Sequence, residues 1–263
     1  MGYMEKFILE TDILTEFEFE KPKDCKVRAV VLVQDSHKEL CKQDMLGRSV
    51  FDWVACAVDD YKWAKVDIAE GQSVAEVVAP FAKDEDFLLV VFADTPLVSR
   101  HDFADALDYA ITKNLDFCKL PRGFVFKVSA LKSGHFELSG EANFLSKEDF
   151  FSVFDESTLA HARRVMKERI LQKHLKNGVN FYDLASSYVE CFVKIGKRVS
   201  VLPGNVLKGE TTIGSGTILG ENNVIEDCEI GENCNIISSV LTGVKIENNS
   251  KLGPFLVKGK EKK

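Results

Sequence analysis

The chain has 263 residues, of which 45% are hydrophobic and 29% charged, and its formal net charge is -7. That length suits two modest domains rather than one large one, and the composition is that of an ordinary globular protein. The negative balance argues against a nucleic-acid partner, because a phosphate backbone would be repelled overall.

No apolar run reaches membrane-spanning length; Phe87 to Ala93 is a buried strand at most. Glu5, Lys6, Glu10 and Asp12 interrupt the first apolar stretch, so no secretory signal is expected there. Met1-Gly2 lacks the Ser or Thr at position 6 that N-myristoylation uses. The seven cysteines (25, 41, 56, 118, 191, 228, 234) contain no CxxC pair, and their odd, scattered placement suits free thiols in a reducing cytoplasm.

In chain order, residues 1 to 24 are acidic, and Phe17-Glu18-Phe19-Glu20 alternates like an edge strand. Lys26 to Val33 reads as a buried strand that ends at Gln34-Asp35-Ser36. Val50, Val54, Ala57 and Val58 have helical spacing within Arg48 to Tyr61, and a second helix is predicted from Ser73 to Ala82. Phe87 to Phe92 is almost purely apolar, as in the centre of a parallel sheet. It stops at Ala93-Asp94-Thr95-Pro96-Leu97, and a helix follows from His101 to Thr112. Strands alternating with helices imply an α/β domain whose ligands sit at the carboxyl ends of the strands, here Gln34 to Lys38 and Asp94. Gly123 to Val128 gives one further strand.

A long helix is predicted from Asp155 to Asn177, capped by Asp155 and ended by Gly178, with Leu159, Ala162, Met166 and Ile170 along one face. Arg163, Arg164, Lys167, Arg169, Lys173 and Lys176 make it basic, which fits a solvated face or an intersubunit contact.

From Ile195 onward a different period takes over. Ile195, Val201, Leu207, Ile213 and Leu219 recur every six residues; the phase slips by one near Val224, resumes through Ile230 and Ile236, and slips again before Ile246 and Leu252. A six-residue period fits neither a helix nor an alternating strand. It marks a parallel β-helix in which each hexad forms one short strand and one turn, and three hexads close a triangular coil. Small or amide residues (Asn205, Thr211, Thr217, Asn223, Cys228, Cys234, Ser250) fill the inward corner slots, so Asn205 and Asn223 should stack one coil above the other. Cys228 and Cys234 invite a metal reading, but their inward slots are explained by packing.

The order of parts resembles the bifunctional UDP-N-acetylglucosamine pyrophosphorylase / glucosamine-1-phosphate acetyltransferase family. Three stretches carry the likeness: Ala79-Pro80-Phe81 through Asp94-Thr95-Pro96-Leu97-Val98-Ser99; the helix from Leu159 with Asn177-Gly178-Val179 and Asp183-Leu184-Ala185; and Ile230-Gly231-Glu232-Asn233-Cys234 through Leu252-Gly253-Pro254-Phe255. The resemblance implies a degenerate nucleotidyltransferase-like (Rossmann-like) α/β domain over 1–154. It further implies a linker helix over 155–178, a left-handed β-helix over 179–257 and a frayed tail over 258–263. It also implies a homotrimer formed through the β-helix, whose faces carry Lys197, Arg198, Lys208, Glu210, Glu221 and Glu226, so trimer contacts would be partly polar.

The departures from that family bear on activity. Its first strand runs into a glycine-rich loop whose backbone N–H groups hold nucleotide phosphates. Here the segment is Leu32-Val33-Gln34-Asp35-Ser36-His37-Lys38, with no glycine between Gly2 and Gly47. Lys38 or Lys42 would have to replace the family's catalytic lysine. Asp94 stands where the family holds Mg²⁺, and its expected partner is Asp155, or Phe154 if the gap falls one residue earlier. Both carboxylates also have plainer uses, Asp155 as a helix cap and Asp94 as a partner for the loop Thr95 to Ser99. The family's acetyl transfer needs a basic histidine, yet the five histidines (37, 101, 135, 161, 174) all lie outside the predicted coils, and no acetyl-CoA site is expected.

The reading is therefore a relative of UDP-N-acetylglucosamine pyrophosphorylase that is impaired or non-catalytic, binding a sugar nucleotide or serving an oligomeric regulatory role. The alternatives are an active, divergent Mg²⁺-dependent sugar-1-phosphate nucleotidyltransferase and a structural trimer scaffold. The neighbourhood of Asp94 separates them: it is either open and carboxylate-lined or filled by Gln34 to Lys38.

Overall fold

The computed structural model describes residues 25–134 and 137–259. The proposed edge strand at Phe17 to Glu20 lies outside them. The chain divides into two compact units between Arg163 and Arg164, inside the long helix rather than ahead of it.

The first unit is built on one mixed sheet, with strand order β2-β1-β3-β5-β4-β6 among the described residues. β1 (Val27–Gln34) pairs in parallel with β2 (Lys62–Ile68) on one side and β3 (Phe87–Phe92) on the other. β5 (Gly123–Lys127) runs antiparallel to β3 and to β4 (Phe117–Leu120), and β6 (Gly140–Glu141) closes the sheet beside β4. β1 and β3 are apolar along their length because both of their faces are covered. On one face Val31, Leu89 and Val91 meet helix α1 (Val50–Val58) and helix α3 (Arg100–Thr112), including the fully buried Phe103 and Leu107. On the other, Leu32, Leu88, Val90 and Phe126 meet the shorter α2 (Val74–Val78) and α4 (Val128–Ser133). This is the Rossmann-like arrangement expected.

α1 and α3 begin at matching capping boxes, Ser49 with Asp52 and Ser99 with Asp102, which satisfy backbone donors at both starts. The predicted helix over 73–82 is helical only to Val78 and then tightens into a 3₁₀ turn containing Pro80. β2 was not expected. It is an edge strand with Lys62, Lys65 and Asp67 set among Trp63 and Val66, a pattern that protects an edge but hides its period.

α5 (Glu156–Lys176) is the long helix, and the predicted face is buried at Leu159, Ala162, Met166 and Ile170. Gly178 ends it at φ +85°.

The second unit stacks short parallel strands in three sheets, consistent with the left-handed β-helix expected. The first sheet contains β7 (Asn180–Phe181), β10 (Ser200–Val201), β13 (Ile218–Leu219), β16 (Asn235–Ile236) and β19 (Lys251–Leu252). The second contains β8 (Tyr188–Val189), β11 (Val206–Lys208), β14 (Val224–Glu226), β17 (Val240–Thr242) and β20 (Val257–Gly259). The third contains β9 (Lys194–Ile195), β12 (Thr212–Ile213), β15 (Glu229–Ile230) and β18 (Lys245–Ile246).

Coiling thus begins at β7, ahead of the hexads from Ile195. Ile225, not Val224, takes the register position of Leu207, so the six-residue period holds to Ile225 and the slip of one falls before Ile230, which pairs with Ile213. The buried column Val189, Leu207, Ile225, Leu241 runs through one sheet, each large side chain contributing about 2 kcal/mol of burial. Lys258 follows at the next register position, so residues 258 and 259, expected to belong to a frayed tail, are part of β20.

Inside the corners a neutral polar ladder forms. Asn223 Nδ2 donates to Asn205 Oδ1 at 3.0 Å and to the carbonyls of Gly220 and Ile236, and its Oδ1 accepts from the Ser239 backbone N–H. Cys228 and Cys234 are buried, and their backbone N–H groups donate to Thr211 and Thr217 hydroxyls. No helix among the described residues is long and apolar enough to cross a membrane.

Candidate functional site

The carboxyl ends of β1 and β3 bring Gln34 and Asp94 together, and the antiparallel sense of β5 adds a third contributor. Because Gly123 opposes Val91, the β4–β5 turn lies at the same end of the sheet. That turn is Pro121-Arg122-Gly123, and only glycine fits its last position: φ is +147°, and a Cβ would lie 2.5 Å from the Val90 carbonyl oxygen. The tight turn delivers Arg122 to Asp94.

Asp94 is 2% exposed. Its Oδ1 accepts from Arg122 Nε at 3.3 Å, and its Oδ2 accepts from Arg122 Nη2 at 2.6 Å, His37 Nδ1 at 2.7 Å and Ser152 Oγ at 3.0 Å. An ionised carboxylate only accepts, so the proton of this imidazole contact sits on Nδ1. Three donors converge on Oδ2 and one, at 3.3 Å, reaches Oδ1, so the guanidinium lies against both oxygens. The Asp94 carbonyl also accepts from the Val153 N–H at 2.7 Å.

Arg122 Nη2 bonds Gln34 Oε1 as well, and its guanidinium lies 4.3 Å from the Phe92 ring centroid. A buried carboxylate is tolerated only when paired and hydrogen-bonded, and this one is both. Nearby, burial pushes the Cys41 thiol up to about 12, with the Asp94 charge adding to the effect, so Cys41 is inert as a nucleophile.

The sequence candidates are not gathered in one place. Lys38 pairs with Asp67 at 2.6 Å on a half-exposed surface, and that bond raises its pKa. Lys42 pairs with Glu39 at 2.6 Å, also at the surface. Asp155 caps α5: its Oδ1 accepts from the Thr158 N–H at 2.7 Å and from the Thr158 hydroxyl at 2.8 Å, and these bonds lower its pKa. Asp94 turns to Arg122, His37 and Ser152 rather than to the loop Thr95 to Ser99. Among the described residues no three His, Cys, Asp or Glu side chains are grouped to hold a metal ion.

Sequence reasoning pointed to Gln34–Lys38 and to Asp94 but missed Arg122 and Ser152. The signal for Arg122 was a cation between proline and glycine in a turn after an unrecognised strand.

A cavity of about 540 Å³ lies at the opposite edge of the sheet, against Lys26, Arg28, Tyr61, Lys62 and Glu85. Arg28 is tied there to Glu85 at 2.7 Å. It sits at the amino ends of the strands, away from the edge where doubly wound sheets bind ligands.

The fold and this site define a Rossmann-like α/β domain carrying an occupied polar cluster at its ligand edge, followed by a parallel β-helix. Comparison narrows the relationship. The chain is 40% identical over 108 residues to the bifunctional protein GlmU of Caldanaerobacter subterraneus subsp. tengcongensis, covering 41% of this chain and 24% of that protein. It is 40% identical over 110 residues to GlmU of Geobacillus sp., covering 42% and 24%. With GlmU of Alkaliphilus metalliredigens it shares 33% over 131 residues, or 50% and 27%. The chain is thus a partial relative of the bifunctional GlmU proteins, matching about a quarter of their length. No family model matches it. Among solved structures, molybdopterin-guanine dinucleotide biosynthesis protein A from Archaeoglobus fulgidus aligns with 54% of this chain and 99% of its own, at 13% identity and a TM-score of 0.42.

Proposed function

We propose that this chain is a non-catalytic relative of UDP-N-acetylglucosamine pyrophosphorylase, a sugar-nucleotide-binding or oligomeric regulatory protein without acetyltransferase activity. The observation that carries this reading is the filled carboxylate of Asp94. Nucleotidyl transfer in the resembled family needs Mg²⁺ at this position, and a hard cation needs free carboxylate oxygen. Here Arg122, His37 and Ser152 crowd Oδ2, and the Arg122 guanidinium already sits against both oxygens. Mg²⁺ does not fit that arrangement.

The phosphate side is equally altered. Asp35 to His37 form a 3₁₀ turn, and the Lys38 N–H turns back to the Asp35 carbonyl instead of facing outward. Backbone donors converging on a triphosphate are thereby lost, and the candidate lysines 38 and 42 are held in surface ion pairs. Purified protein given UTP, N-acetylglucosamine-1-phosphate and Mg²⁺ is expected to release no pyrophosphate above the blank. Release that disappears in Asp94→Ala would establish the active nucleotidyltransferase instead.

The oligomeric part rests on the outer face of the second sheet of the β-helix. Tyr188, Val206, Val224, Val240 and Val257 share one register column, and the last three are exposed. A continuous apolar column on an outward face favours burial against further copies of the chain. Lys208 and Glu226 on the same strands give that contact a polar margin. A homotrimer is the assembly this column serves, and light scattering should return the mass of three chains. A monomer at micromolar concentration would remove the assembly role and leave ligand binding alone.

A further inference from the structure

We infer that Arg122 is a resident counter-cation occupying the place that a divalent ion would take, so that this end of the sheet is charge-balanced without metal. The inference rests on the non-catalytic reading above and extends it by naming the residue that keeps the site closed.

The geometry is that of a cation held between oxygen ligands. Arg122 Nη2 lies between Asp94 Oδ2, at 2.6 Å, and Gln34 Oε1, while Nε engages Asp94 Oδ1. His37 Nδ1 and Ser152 Oγ reach the same Oδ2. Without the guanidinium, the Asp94 carboxylate and the Gln34 amide oxygen would face the place it leaves, while His37 and Ser152 stay as donors on Oδ2. Carboxylate and amide oxygens suit a hard divalent ion such as Mn²⁺. The guanidinium carries a fixed positive charge at any working pH and matches a carboxylate in two parallel bonds.

Its position is also enforced from outside the cluster. Phe92 covers one face of the guanidinium, and the Pro121-Arg122-Gly123 turn fixes where the side chain starts. The cation is therefore part of the covalent chain and cannot be chelated away. Three strand ends depend on it: β1 through Gln34, β3 through Asp94 and the β4–β5 turn itself.

The test uses the full chain and Mn²⁺ as probe, read by thermal melting and by the electron paramagnetic resonance signal of free Mn²⁺. Wild type should melt at the same temperature in EDTA and in millimolar Mn²⁺. Arg122→Met should melt lower in EDTA, because a buried carboxylate loses its partner, and should recover several degrees with Mn²⁺. Arg122→Gln, which retains an amide near Gln34, gives the same comparison if the methionine variant does not fold. The added Asp94→Asn change should abolish the Mn²⁺ response in either background. A wild-type Mn²⁺ response lost in Asp94→Asn, or folded Arg122 variants with no gain in Mn²⁺ response, would overturn the inference. Neither result depends on pyrophosphate release, so the non-catalytic reading is judged separately.

Discussion

The two units bury polar groups in opposite ways. In the β-helix the interior is neutral: Asn205, Asn223 and Ser239 pass hydrogen bonds from coil to coil, with backbone carbonyls taking the spare donors. At the ligand edge of the α/β sheet the interior is ionic: Asp94 and Arg122 face each other with His37, Ser152 and Gln34 around them. A neutral ladder can be repeated with each turn of the chain, because every member needs only its neighbour above and below. A buried ion pair cannot be repeated cheaply, since each charge must collect its full complement of partners. The first solution is therefore written periodically in the sequence, and the second is assembled once from distant segments.

Exchanging the two solutions gives the largest effects. Asn223→Asp places a charge in the neutral interior and removes donors to Asn205, Gly220 and Ile236; denaturant unfolding should show a loss of about 3–5 kcal/mol. Asp94→Asn makes the reverse change and leaves the guanidinium of Arg122 without its counter-charge, with a similar expected loss of about 3–5 kcal/mol. Combined with Arg122→Met, it should cost much less than the sum of the two single changes, which a double-mutant cycle would measure.

A buried titrating group sharpens the contrast further. His174, 5% exposed near the end of α5, is pushed down to about 4 by burial, with Lys173 adding to the effect. Its folded pKa is below the unfolded value of 6.5, so the unfolded chain takes up protons first as pH falls. This stabilisation is fully present above pH 6.5 and is lost progressively down to about pH 4, for a total on the order of 3 kcal/mol. Urea titrations of wild type and His174→Phe across that interval should show the slope in wild type and its loss in the variant.

The smallest effects belong to the sequence candidates that lie at the surface. Asp155→Ala removes a helix cap and should lower the melting temperature less than either buried change. Lys38→Met breaks only an exposed ion pair with Asp67, and melting should be almost unchanged.

The same contrast decides what could be read in advance. The β-helix was legible because Val201, Leu207 and Ile213 recur at a spacing that no other element explains, and the stacking of Asn205 on Asn223 followed from that spacing. The starting coil was less visible, since Phe181 stands eight residues before Val189 and twenty before its register partner Val201, outside the hexad rhythm. In the α/β unit, β1 and β3 announced themselves as apolar runs, whereas the charged edge strand β2 did not. Asp94 could be singled out from its place at the end of β3. Arg122 could not, because its role depends on β5 running antiparallel to β3, and the sequence carries no local mark of strand direction.

Lys258 has a consequence for behaviour at high concentration. A stack of parallel strands ending in free backbone groups is a template onto which other chains can add, as in fibre growth. The column of Leu207, Ile225 and Leu241 would favour such addition, but an incoming strand seated on β20 would have to cover an ammonium group. A lysine at this register position thus makes the stacking of a foreign strand on β20 costly, without bearing on the lateral face of the coil.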